Sequence, residues 1–179
     1  MVFIAWLLLG GCELASAAVE TEASLERSVK AAFLYKFLNF ASWPATSFPE
    51  AGSPFVIGVL GSDAMAAEIA KIVIDRPVSG RTIEVRTVKR GESLAGLHVL
   101  FVGRAETGQL SSLAEKAQLQ SVLLVSESDR GLSLGSAINL VVVEGRIRFD
   151  VSLDAAEKSG VRLSSRLLGV ARSVRTGPE

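Results

Sequence analysis

The residues of this chain that could do chemistry are few and dispersed. His98 is the only histidine and Cys12 the only cysteine, so the usual zinc and iron ligand sets cannot be assembled, and neither a metal nor another cofactor is expected. Carboxylates remain for calcium or magnesium, but no EF-hand-like spacing occurs. His98 titrates near neutrality in its ordinary state and is a candidate ligand or acid–base group. Its place at the start of an apolar strand favours a structural or edge role over that one. No Ser, Asp and His combination has triad or nucleophile-elbow spacing, and Gly131 to Gly135 lacks the lysine and helix start of a phosphate loop. No catalytic residue is assigned, and the chain reads as a non-enzyme. Arg146 and Arg148 could clamp a carboxylate of a ligand or partner; a solvated strand face is the alternative. Trp43 stands beside a loop, where an aromatic side chain serves either as an interface anchor or as core.

These residues need elements to hold them. Leu25, Val29, Ala32, Phe33, Phe37 and Phe40 recur at steps of three and four, which predicts an amphipathic helix over 24–41 ending before Trp43-Pro44, with the phenylalanines in the core. A loop over 46–54 leads to a buried strand at 55–60, and Gly61-Ser62-Asp63 caps a helix whose apolar face carries Met65, Ile69, Ile72 and Val73. Strands follow near 83–87 and 98–102. A helix with Leu110, Leu113, Ala114 and Ala117 on one face precedes a strand at 122–125.

Residues 138–151 read as a hairpin turning at Glu144-Gly145, with Arg146, Arg148 and Asp150 on its polar face. The Asp154 and Glu157 spacing predicts a capping box opening a short helix that stops near Gly160. Leu163, Leu167, Leu168 and Ala171 predict a docking helix, with Arg162, Arg166 and Arg172 facing solvent. The order α, β, α, β, β, α, β, β, β, α, α implies one α/β domain. A mixed sheet of about six strands, partly parallel, is flanked by about five helices. A crevice at the strand ends, where such a sheet reverses order, offers a second function class, a small-ligand sensor.

At 179 residues and 49% hydrophobic content the chain supports one proper core. Its formal net charge is zero, and its basic residues are dispersed, so nucleic acid is not an expected partner. Val2 to Leu9 is an apolar run with signal-peptide proportions. Ala15-Ser16-Ala17 would place cleavage before Ala18, giving a signal over 1–17. Alternatively, Leu9-Gly10-Gly11-Cys12 is lipobox-like, giving a signal over 1–11 with Cys12 as the lipidation candidate.

The ordered set VKAAFLYKFLNFASWP (29–44), FVIGVLGSD (55–63), Gly80-Arg81, GLHVLFVG (96–103) and INLVVVEGRIRFDVSLDAAEKSGVRLSSRLL (138–168) closely resembles the YfiR family of exported bacterial proteins. The likeness spans the chain from about Ser28 to Val174, setting a domain over 24–174 and a tail over 175–179. It implies a periplasmic, non-enzymatic regulator. In the best-known case a dimerising repressor binds the periplasmic sensor region of a membrane diguanylate cyclase, lowers cyclic di-GMP and biofilm formation, and is sequestered by an OmpA-like outer-membrane lipoprotein. Relatives coupled to sensor kinases extend the implied partners. This chain departs in lacking the disulfide-forming cysteines, which removes redox control from the implication. Arg81, in the turn the resemblance picks out, is a candidate contact residue; a salt link inside the fold is the alternative.

Overall fold

The computed structural model describes residues 11–177; the apolar run Val2 to Leu9 lies outside them. A long first helix, α1 (Gly11–Phe40), begins well before the predicted start and takes in Cys12 and Ala15-Ser16-Ala17, while Leu9 and Gly10 of the lipobox-like sequence lie outside the described residues. It ends at Phe40, where the chain extends into β1 (Ala41–Ser42) ahead of Pro44. Next come β2 (Phe55–Leu60), α2 (Asp63–Val73), β3 (Ile83–Val88) and β4 (Val99–Val102). A 3-10 segment over Arg104–Gln109 leads into α3 (Leu110–Leu119). The chain closes with β5 (Leu123–Ser126), β6 (Ile138–Val143), β7 (Arg146–Ser152), α4 (Leu153–Lys158), β8 (Arg162–Leu163), α5 (Ser165–Val170) and β9 (Ser173–Arg175).

All six expected strands lie in one sheet, ordered β3-β2-β4-β5-β6-β7-β9. The first five run parallel, β7 returns antiparallel to β6, and β9 pairs parallel with β7. Counted by their occurrence along the chain, the parallel strands follow the doubly wound order 2-1-3-4-5, whose direction reverses between β2 and β4. Covering both faces explains why β2, β4 and β5 read as continuous apolar runs. One face packs Ile57, Phe101, Val125 and Phe149 against Leu34, Phe37 and Ile69 of α1 and α2. The other packs Leu60, Leu100, Val102 and Leu124 against Leu110 and Leu113 of α3. Phe33 and Phe37 meet Phe149 edge to face at 5.5 and 5.3 Å, so both join the core cluster, Phe37 fully buried and Phe33 only partly.

The hairpin turns as expected, with φ of 50° at Glu144 and 69° at Gly145, the paired positive values of a type I′ turn. The cap of α4 differs from the expectation. Ser152, not Asp154, is the N-cap and accepts from the Ala155 N–H; Asp154 sits in the first turn, paired with Lys158 at 2.7 Å. Gly160, with φ of 69°, ends that helix as predicted.

The docking helix is shorter than expected. Leu163 lies in β8, which pairs with β1, and Ala171 ends α5. Arg172 is not a solvent-facing arginine only. Its Nε donates to Asp150 Oδ1 at 2.8 Å, its Nη2 donates to Oδ2, and Ser173 Oγ donates to Oδ1 at 2.7 Å. Asp150 is therefore buried rather than part of a solvated face. Burial alone would raise its carboxyl, but the hydrogen bonds from Arg172 and Ser173 outweigh that and hold it below its ordinary value. This clamp seats β9, a strand whose exposed Ser-Val-Arg sequence has no strand pattern of its own.

Candidate functional site

Three of the candidate residues, chosen from separate stretches of sequence, converge beside the start of β4. His98 immediately precedes that strand and is buried, and its backbone spans β2 and β5: its N–H donates to Val56 and its C=O accepts from Leu123. The imidazole Nδ1 accepts a third bond from the Val56 N–H at 3.1 Å. Trp43 Nε1 donates to the His98 carbonyl at 3.0 Å and sets its ring edge-on to Phe55 and His98. Phe48, from the loop, stacks on the imidazole at 4.5 Å. Arg81 lays its guanidinium over the Phe48 ring at 4.0 Å and donates to the Ser53 carbonyl at 2.6 Å. The stack is thus Arg81, Phe48, His98, a cation–π contact outside an aromatic pair, and it ties the 46–54 loop to the sheet.

Phe48 has no neighbour in sequence that marks it, lying in a polar, proline-flanked loop. Among the described residues Arg81 makes no salt link; it binds the Glu50 and Ser53 carbonyls and the Phe48 ring. This knot is built to hold rather than to react. His98 Nε2 has no hydrogen-bond partner among the described residues. Burial pushes the imidazole pKa down to about 4, with the Arg81 charge acting in the same direction and the Ser47 backbone opposing. The ring is accordingly neutral near pH 7, an acceptor for the Val56 amide.

That shift makes a pH prediction. The unfolded histidine takes up a proton below about 6.5, whereas the folded one resists until about 4. The stability due to neutral burial is complete above pH 6.5 and is lost as pH falls through this window, by about 3 kcal/mol in all. Denaturant unfolding at pH 7 and pH 4.5 should show most of that loss. In His98→Asn, which keeps an acceptor for Val56 but cannot titrate, the fall over the same interval should be smaller by about 2 kcal/mol. Equal slopes in both proteins would contradict the buried neutral ring.

Arg146 and Arg148 stand elsewhere, exposed on β7 opposite Val143 and Val141 of β6. Their strand lies three places from β4 in the sheet order. At the crevice where the sheet reverses, the Glu106 side chain packs against the turn after β2. Gly61, with φ of 82°, follows β2, and a Cβ there would lie 2.5 Å from Glu106 Cγ; Glu106 is held by Arg90 at 2.7 Å. One strand over, buried Lys30 of α1 pairs with Glu127, whose other oxygen accepts from the Arg104 N–H at 3.2 Å. Neither Lys30 nor Glu127 was marked by sequence, since their contact spans ninety-seven positions. Among the described residues no group of three His, Cys, Asp or Glu side chains is placed to hold a metal ion, and no helix is long and apolar enough to cross a membrane.

A family model described as YfiR/HmsC-like matches residues 27–172. The match takes in the His98 knot, the Lys30–Glu127 pair and every strand of the sheet except β9, which begins just beyond it.

Proposed function

The chain belongs to the YfiR/HmsC-like family, and from that premise we propose that it represses a membrane diguanylate cyclase by binding the cyclase's periplasmic sensor region. The family is one of periplasmic regulators rather than catalysts and implies a signalling partner. On this reading the protein is exported, by cleavage before Ala18 or with a lipid on Cys12. It acts as a homodimer, lowers cyclic di-GMP, and is itself sequestered by an OmpA-like outer-membrane lipoprotein. A sensor kinase is the partner where the output is a phosphorelay.

Family membership carries the proposal, and the surface supports it. Trp43 and Arg81 donate to backbone carbonyls of the fold, the His98 ring is buried, and Glu106 packs on Gly61 at the reversal crevice. Recognition then falls to outer surfaces. One is the apolar stripe of α1, where Leu25 is 66% and Val29 37% exposed. The other is the exposed pair Arg146 and Arg148, able to meet carboxylates of a partner.

Deleting the gene should raise cellular cyclic di-GMP, and affinity purification of the full-length protein from membranes should recover a cyclase or kinase. Unchanged nucleotide together with no membrane partner would overturn the reading. Arg146→Glu with Arg148→Glu should weaken that recovery without lowering stability. Intact mass of the extracted protein distinguishes the two processing routes.

A further inference from the structure

The sheet has one long free edge. β3 pairs with β2 and lies at the end of the strand order, so among the described residues nothing pairs with its outer side. The hydrogen-bond phase of that edge is fixed by one contact: Phe55 N–H donates to the Thr82 carbonyl at 2.9 Å. In a parallel ladder with this register, residues 82, 84, 86 and 88 turn their backbone groups toward β2. Ile83, Val85 and Thr87 consequently present their N–H and C=O groups outward. Beside them runs a groove of about 630 Å³ lined by Val73, Ile74, Pro77, Ile83 and Val85, with Ile74 65% exposed.

Free edges are ordinarily blunted by charge, and this one carries Glu84 and Arg86, both exposed. They flank Val85 symmetrically. In an antiparallel pairing of two copies centred on Val85, Val85 meets its own equivalent, Ile83 meets Thr87, and Glu84 meets Arg86. The outward-facing residues then form the hydrogen-bonded pairs. Glu84 and Arg86 fall at the non-hydrogen-bonded positions, where opposing side chains come closest. The phase of the backbone groups and the placing of the charges select the same centre. The same charges that repel an unmatched strand satisfy a second copy twice over, and a two-fold axis closes the assembly.

We propose that β3 is a self-association edge, through which two copies of this chain join their sheets antiparallel about Val85, the groove beside α2 being covered by the other copy. This deepens the homodimer of the reading above and rests on that part of it alone.

Sedimentation of the exported full-length protein over a concentration series tests it. The wild type should dimerise. Glu84→Arg and Arg86→Glu should each weaken dimerisation by at least ~10-fold, having replaced two attractive cross-strand pairs by repulsive ones. The charge-swapped double variant should restore it. Thr87→Pro, which removes an outward donor and none toward β2, should also abolish it, and unfolding curves confirm that each variant is folded. A wild type that stays monomeric overturns the proposal, as does a dimer indifferent to the single reversals or a double variant that fails to recover. A monomer that still recovers its membrane partner leaves the regulatory reading standing. A dimer that ignores Glu84 and Arg86 leaves the homodimer and overturns this edge.

Discussion

Truncating Phe37 to alanine should cost about 3–5 kcal/mol of folding free energy, the range for removing a fully buried aromatic side chain. For a chain of this size that lowers the melting temperature by roughly 10 °C. Phe37 is fully buried, and its ring lies 6.0 Å from Phe33 and 5.3 Å from Phe149. It is therefore the point at which α1 is fastened to β7. Leu25→Ala, on the exposed side of the same helix, should change stability by no more than about 0.5 kcal/mol. The contrast separates packing from helix propensity, since both substitutions introduce the best helix former. A loss under about 1 kcal/mol at Phe37 would mean that α1 is not docked as described.

Glu127→Leu should be of similar size, about 3–5 kcal/mol, for a different reason. Lys30 is 6% exposed, and its two carboxylate partners differ: the Glu127 side chain is 16% exposed, that of Glu26 37%. Removing Glu127 leaves a desolvated ammonium dependent on the more hydrated partner and orphans the Arg104 N–H. Adding Lys30→Met should recover at least half of the loss, because an apolar pair of similar volume removes the buried charge altogether. Urea unfolding of the wild type, both single variants and the double variant closes the cycle. Additive losses with no recovery would show that the two side chains do not interact.

Much of the fold was legible because its signals are local. The apolar runs of β2, β4 and β5 reflect burial on both faces, and the Glu144-Gly145 turn fixes the hairpin. Gly160 stops α4 through a backbone conformation that glycine adopts at little cost. The misses are equally physical. Ser152 outcompeted Asp154 as a cap because β7 ends there and leaves its hydroxyl facing the first orphan amides. Leu163 went to β8 because β1 offers it a ladder, and β9 exists because Arg172 and Ser173 bind Asp150 across twenty-odd residues. None of these choices is written in a window of one turn.

For the site, the sequence singled out His98, Trp43 and Arg81 but not their relation. Residue type alone established that catalytic and metal-ligating groups are scarce, and the ordered segments pointed to the family. What the imidazole does depends on partners distant in sequence. Phe48, Phe55 and Val56 surround it, desolvation lowers its pKa, and neutrality follows from burial. The free edge is similar. Glu84 and Arg86 are visible as alternating charges in any reading, but only the sheet order leaves β3 unpaired, and only the Phe55 to Thr82 bond shows which backbone groups face outward. Sequence determined the elements and the chemistry available, because propensity and periodicity act over a few residues. Tertiary structure decided which polar groups are already satisfied and which remain for a partner, because burial and hydrogen bonding are settled between segments far apart in the chain.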